Sequence, residues 1–311
     1  MTLIYVITIF IGCFLLIKST DLIIRSIHYL AKYFHISEFV IAFILAGLAT
    51  SLPELFIGIM SATENASVLS LSNIFGSNIS NLTLILGLSV IVAKKLSSDS
   101  RMVNRNIIYV FILVIYAVLL ALDGYISRID GIGLIILFVL YNTILFFQSK
   151  EFEKKAGWAR KKELFKNILM LLLGILFLVA SAEMVVQASI SLAEIIKSSI
   201  FLVGLILVAL GTSLPEFIFG LRSFKNNHKH MILGGILGSI ASNVTVVLGA
   251  TAIISPILIQ NTSLLLTSAF FMIASYILFA ILTKTDKNLS RKEGFILILI
   301  YIIFIIIQPV I

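Results

Sequence analysis

Thr50-Ser51-Leu52-Pro53-Glu54 stands inside a long apolar stretch, and Thr212-Ser213-Leu214-Pro215-Glu216 repeats it 162 residues later in the same setting. Each copy puts a carboxylate where a hydrocarbon span should carry no charge. A lone ionised Glu at such a depth costs several kcal/mol, with estimates running from about 2.5 to well above 10. Two such costs at matched positions point to a use. The default reading is a cation site built by two copies of one ancestral segment.

Composition bounds the setting. Of 311 residues, 60% are hydrophobic and only 12% charged, and the mean hydropathy is +1.14. That describes an all-α integral membrane protein of many spans, not a soluble domain. The single Cys13 excludes a disulfide framework and a multi-cysteine metal site. His28, His35, His228 and His230 lie in polar connections, so no intramembrane His-ligated metal is expected. No basic region precedes the first span, which argues against a cleaved signal peptide.

Ten apolar segments reach bilayer-crossing length, near residues 2–28, 36–62, 68–93, 107–122, 128–147, 168–193, 198–224, 231–257, 263–283 and 292–310. Sorted by connection, 20 basic residues fall on one side, Arg25, Lys94 and Arg222 among them. The other side receives Arg128 and Lys197, and Lys18 lies within the first span. So strong a bias places both termini outside and the central connection in the cytoplasm. It also accounts for the net charge of +8 without nucleic acid, which is not an expected partner. The expected partners are the lipid bilayer and the transported ions, and the expected location is the plasma membrane, as a monomer.

The offset of 162 holds without gaps around both motifs. Residues 46–61 and 208–223 share eight identities, and residues 72–90 and 234–252 share eight more. Five spans separate the copies, so the second half is inverted relative to the first. The expected organisation is a first five-helix repeat over 1–147, a cytoplasmic linker over 148–167 and a second, inverted five-helix repeat over 168–311. Inverted repeats with a midplane site are a secondary-transporter architecture.

Pro53 and Pro215 lack an N–H, so the carbonyls of Ala49 and Gly211 lose their helical partners. Unwound backbone is tolerable in a membrane only where it lines a polar cavity. Thr50 shares a helix face with Glu54, as Ser77 does with Asn81, with Ser80 nearby. Their counterparts are Thr212 with Glu216 and Ser239 with Asn243. The glycines of both motifs read as close helix packing rather than ligand contacts. Asp21 and Glu183 also match at the offset. They read either as lining an access path or a sliding interface or, the reading slightly preferred, as polar anchors, with Lys18 one turn from Asp21 and able to pair with it.

All these donors are oxygen. No thiolate or imidazole is offered, so Zn and Cu fit poorly. Ca²⁺ takes about 6–8 oxygens, and two carboxylates balance its charge. The same two charges could be shared among Na⁺ ions, or carry protons. No nucleophile–base constellation accompanies the acids, so an intramembrane hydrolase is disfavoured and no cofactor is expected. A channel is disfavoured because one pseudo-twofold chain supplies no filter-like ring.

Ala49-Thr-Ser-Leu-Pro-Glu54 with Asn73-Ile-Phe-Gly-Ser-Asn-Ile-Ser-Asn81 resembles the first α-repeat of the sodium/calcium exchanger family, within the cation/calcium antiporters. Gly211-Thr-Ser-Leu-Pro-Glu216 with Gly238-Ser-Ile-Ala-Ser-Asn243 resembles the second. The resemblance extends over both halves, the ten spans and the outside N-terminus. Proton-coupled relatives usually carry Gly-Asn-x-x-Glu, absent here, which favours Na⁺ as the coupling ion.

The resemblance implies that Glu54 and Glu216 bind Ca²⁺ and Na⁺ centrally. Thr50, Ser51, Ser77, Thr212, Ser213 and Ser239 would complete flanking Na⁺ positions, with backbone carbonyls of Gly47, Thr50, Ala209 and Thr212. It further implies electrogenic Na⁺ for Ca²⁺ exchange by alternating access, spans one and six sliding against the rest. Many relatives place an Asp where Asn243 stands. Here Asn81 and Asn243 are both neutral, which bears on the number of Na⁺ ions and argues against K⁺ co-transport. Asn78, opposite Ile240, is left outside the expected site.

The topology has a direct check. In a Cys13→Ser background, Lys197→Cys should react with a membrane-impermeant maleimide added to intact cells, and Lys229→Cys only after permeabilisation. The reverse pattern would invert the orientation.

Overall fold

The structure is a computed structural model, and the residues it describes are 2–33, 51–97, 101–148, 163–225, 230–285 and 288–308. Helices follow the apolar segments. The first is α1 (Thr2–Tyr33), and α2 (Leu52–Thr63) is the described part of the second. The third span is α3 (Ser67–Ser80), a π-turn π1 (Asn81–Ile85) and α4 (Leu86–Ala93). Next come α5 (Arg101–Ala121), α6 (Arg128–Gln148) and α7 (Leu164–Ile195). The seventh span is α8 (Ile200–Val203), π2 (Gly204–Val208), α9 (Ala209–Thr212) and α10 (Leu214–Lys225). The eighth is α11 (His230–Ser242), π3 (Asn243–Val247) and α12 (Leu248–Ile254), followed by α13 (Thr262–Thr285) and α14 (Arg291–Ile307).

Several helices outrun their apolar windows. α1 continues to Tyr33, α5 starts at Arg101, and α7 starts at Leu164, inside the expected linker. At 1.5 Å per residue, the 32 residues of α7 exceed a hydrocarbon core of about 30 Å. Helix-tolerant charged residues carry the surplus turns into the headgroup region.

Burial is inverted relative to a soluble protein. Glu54, Ser77, Asn78, Asn81, Asn243 and Thr245 are fully buried, while Leu3, Phe14, Leu172, Phe177 and Ile302 are exposed. An apolar rind around a polar centre is the arrangement that lipid demands.

The inverted relation is visible in three places. π1 begins at Asn81 and π3 at Asn243, 162 residues apart. Two antiparallel ladders form, β1 (Lys95–Ser97) with β4 (Asn288–Ser290), and β2 (Tyr125–Ile126) with β3 (Ile257–Leu258). Lys95 maps on Ile257 and Ile126 on Asn288 at the offset, so each ladder is the other's image. In the third, Gly12 of α1 lies against Val185 and the Ser181 carbonyl of α7, and Gly174 of α7 lies against Ile23 and the Ser19 carbonyl of α1.

Packing falls into two bodies. α1 and α7 share an apolar cluster built on Ile9, Leu16, Leu178 and Val185, which reaches Ile57, Leu69, Val203 and Val208. A larger cluster joins α3, α5, α11, α13 and α14 through residues such as Phe75, Val114, Ile236, Tyr276 and Phe304. The Tyr276 hydroxyl donates to the Ile107 carbonyl at 2.9 Å and ties α13 to α5 within that body.

Gly76 is where α3 meets the seventh span. A Cβ there would strike the Leu205 carbonyl and the Ala209 methyl. Backbone cannot step aside cheaply, so Gly76→Val should cost about 1–3 kcal/mol or more, read as a lower detergent melting temperature. Gly234 has nothing within 4 Å of such a Cβ; Gly234→Ala should hold or gain up to about 1 kcal/mol. Equal melting temperatures for Gly76→Val and the parent would refute the close approach.

Candidate cation site

Glu54 sits in the first turn of α2 and Glu216 in the first turn of α10. α2 begins at Leu52 and the seventh span restarts at Leu214, which places Pro53 and Pro215 where a missing N–H is harmless. The break thus turns a mid-membrane carboxylate into a helix-N-terminal one. That position is worth about 0.3–2 kcal/mol to an anion and offsets part of its burial.

The rest of the support is serine. Ser77 Oγ donates to Glu54 Oε1 at 3.0 Å, and Ser239 Oγ donates to Glu216 Oε1 at 2.8 Å. Each of these serines then meets one from the other half. Ser77 lies 3.0 Å from Ser213 Oγ, and Ser239 lies 3.3 Å from Ser51 Oγ. The four serines form two crossed pairs about the pseudo-twofold axis. They bring both carboxylates into one serine-bridged centre.

The π-turns aim the amides. A π-turn widens the backbone by one residue and re-directs the side chains at its start. Asn81 and Asn243 open π1 and π3, and both are fully buried. Asn81 Nδ2 donates to Ser239 Oγ at 3.4 Å. Asn243 Nδ2 takes a different partner, Asn78 Oδ1 at 3.1 Å. Thr212 Oγ1 donates to Asn73 Oδ1 at 3.2 Å. The Ala209 carbonyl accepts from Ser213 Oγ at 2.8 Å and Ser213 N at 3.1 Å, so it is engaged rather than freed.

Of the expected residues, Ser51, Glu54, Ser77, Asn81, Ala209, Thr212, Ser213, Glu216, Ser239 and Asn243 are thus buried around one centre. Gly47 and Thr50 lie outside the described residues. Asn73 and Asn78 join the centre although comparison of the repeats passes them over. Their counterparts are Gly235 and Ile240, so a search for shared residues discards them. Their signal is the amide itself, on an apolar span, one helical turn from Ser77 or Asn81.

Four oxygens at this centre have no hydrogen-bond donor among the described residues: Glu54 Oε2, Glu216 Oε2, Asn81 Oδ1 and Asn243 Oδ1. Buried acceptors normally have partners. Two carboxylates and two carboxamide oxygens are a hard donor set that suits Ca²⁺ or Na⁺.

The second acidic pair has a different place. Lys18 does not pair with Asp21; its ammonium lies 5.3 Å over the Phe14 ring. Glu183 Oε1 accepts from Gln187 Nε2 at 2.9 Å, a partner supplied by the next turn. A polar-mouthed cavity of about 890 Å³ lies between residues 64–68, 198–201 and 255–262, with Glu64, Ser67, Ser199, Phe201, Ser255 and Asn261 in its wall.

Residues 4–147 and 166–310 both match the family described as sodium/calcium exchanger protein. An uncharacterized membrane protein of Methanocaldococcus jannaschii is 30% identical over 295 residues, covering 94% of each chain. The sodium/calcium exchanger MaX1 of Methanosarcina acetivorans is 25% identical, over 95% of this chain and 96% of its own. The solved structure of the sodium-calcium exchanger NCX_Mj soaked with 10 mM Na⁺ and 10 mM Sr²⁺ superposes with a TM-score of 0.67 at 27% identity, over 98% and 99% of the two chains.

Removing either carboxylate tests the donor set. At a Ca²⁺ level a hundredfold above Kd, the parent should gain about 2.7 kcal/mol of stability in detergent. Glu54→Gln and Glu216→Gln should each lose most of that gain while melting no lower without ions, since a buried charge has become a neutral amide. Undiminished Ca²⁺ stabilisation in either variant would exclude that residue.

Proposed function

The chain belongs to the sodium/calcium exchanger protein family, and from that premise we propose that it exchanges Na⁺ for Ca²⁺ across the plasma membrane by alternating access. The observation that carries this reading is the centre with two buried carboxylates and four oxygens without a donor among the described residues, contributed equally by the two halves. One Ca²⁺ neutralises both charges, and so do Na⁺ ions held in its stead. With neither bound, two like charges face each other in a low dielectric, and the conformational change is costly. That forbids the unloaded return and enforces exchange.

Glu54 and Glu216 are the shared ligands in this reading. Ser51, Ser77, Ser213 and Ser239, with Thr50 and Thr212 and the Gly47 carbonyl, supply flanking Na⁺ positions, and the Ala209 carbonyl joins them when Ser213 Oγ turns from it to an ion. α1 and α7, packed on each other through the Gly12 and Gly174 contacts, slide over the rest. The cavity of about 890 Å³ lies on the side with few basic residues, and the residues of the centre are buried and do not line it; the bias of basic residues is what reads both termini as extracellular. Both halves of the centre come from one chain, and the monomer is the functional unit. Several Na⁺ per Ca²⁺ make the cycle electrogenic, each net charge being worth about 2.3 kcal/mol per 100 mV.

One observation favours a second reading, H⁺ in place of Na⁺. Ser77 contacts Glu54 and Ser213, each at 3.0 Å, and Ser213 contacts the Ala209 carbonyl at 2.8 Å. Those three contacts share two hydroxyl hydrogens, and a hydrogen on Glu54 would supply the third.

Proteoliposomes separate the two. With Na⁺ inside and Ca²⁺ outside, ⁴⁵Ca²⁺ should enter. More than two Na⁺ leaving per Ca²⁺ carries positive charge out, so an inside-positive potential should speed entry. Uptake driven by a pH gradient and indifferent to Na⁺ would overturn the Na⁺ reading in favour of H⁺.

A further inference from the structure

The two halves treat their matched amides differently. Asn81 donates to Ser239 in the other half. The symmetric choice for Asn243 would be Ser77, yet its Nδ2 goes to Asn78 Oδ1 instead, at 3.1 Å. Asn78 Nδ2 in turn points to Met272 Sδ on α13, at 3.8 Å. Asn78, Asn243 and Met272 are all fully buried. At the offset, Asn78 corresponds to Ile240 and Met272 to Val110, so this relay exists in one half alone.

Its direction is fixed by sulfur. A carboxamide can present either its oxygen or its NH₂, and rotation by 180° swaps them. A thioether has no hydrogen to give, so it can only accept. Asn78 therefore turns its NH₂ to Met272 and its oxygen to Asn243. Asn243 must answer with its NH₂, and its own oxygen is left facing away, buried and without a donor. Were Asn78 reversed, Asn243 would follow, and two N–H groups would point where a cation should sit.

We propose that Asn78 and Met272 are positioning residues that hold Asn243 with its carboxamide oxygen, not its nitrogen, toward the cation bound by Glu54 and Glu216. The inference rests on the cation-site reading given above. The Met272–Asn78 relay makes Asn243 a dependable neutral ligand at a position where its neutrality would otherwise leave orientation undecided. Val110 and Ile240 give Asn81 no such control, and its tether is a serine hydroxyl that both donates and accepts.

A double-mutant cycle tests this, read as the apparent Ca²⁺ Kd from thermal protection of the full-length protein in detergent. Met272→Leu conserves volume and removes only the acceptor. It should raise Kd about fivefold, the equivalent of one net hydrogen bond. Asn78→Leu should do at least as much. In an Asn243→Ala background neither change should raise Kd further, because the side chain they position is gone. In proteoliposomes, Met272→Leu should raise the half-saturating Ca²⁺ and leave the maximal rate unchanged. An unchanged Kd in Met272→Leu and Asn78→Leu, or full additivity with Asn243→Ala, would overturn the relay and leave the exchanger reading standing. Ca²⁺ binding that follows the cycle without any Na⁺-driven flux would do the opposite.

Discussion

Two carboxylates buried in a lipid-embedded protein set the terms for everything around them. Neither Glu54 nor Glu216 has a cationic side chain bonded to it among the described residues, and each has one oxygen without a donor. The fold mitigates this in three ways. Helix breaks at the proline motifs give each acid a helix N-terminus. Serines from both halves cross at the centre and donate. In the exchange reading proposed above, a mobile hard cation makes good the remaining shortfall. A fully satisfied pair would be a structural feature with nothing to carry.

The pseudo-twofold relation explains the architecture, and its failures locate specificity. Symmetric features are mechanical: the Gly12 and Gly174 contacts between α1 and α7, the two short ladders, the paired π-turns. They let the two halves of the chain meet along matched surfaces. The asymmetric features are chemical. Asn73, Asn78 and Met272 stand opposite Gly235, Ile240 and Val110; Asn73 accepts from Thr212, and Asn78 links Asn243 to Met272. A site that must hold different ions in turn gains from positions that are not equivalent.

Much of this was legible in the residues. The repeated Thr-Ser-Leu-Pro-Glu and the offset of 162 pointed to the inverted halves and to the centre before any coordinates. Apolar length read the spans, but not where α1, α5 and α7 run on beyond the hydrocarbon, since charged residues keep helical propensity outside it. Asn73 and Asn78 were missed for a definite reason: ranking by identity between repeats hides whatever one half owns alone. Lys18 was matched with Asp21 by spacing, yet its stem lies on the exposed side of α1 and its ammonium finds Phe14 instead. The Ala209 carbonyl was expected to contribute to the ion site; Ser213, one helical turn on, bonds back to it through both hydroxyl and N–H.

The central claim is that one site holds different hard cations by turns. Crystals soaked in Sr²⁺ at low Na⁺ should show an anomalous peak between the Glu54 and Glu216 carboxylates, with Asn81 and Asn243 oxygens in its coordination shell, and the peak should vanish when Na⁺ is raised. A divalent ion bound elsewhere, or a peak at this position that Na⁺ in excess leaves untouched, would contradict the account.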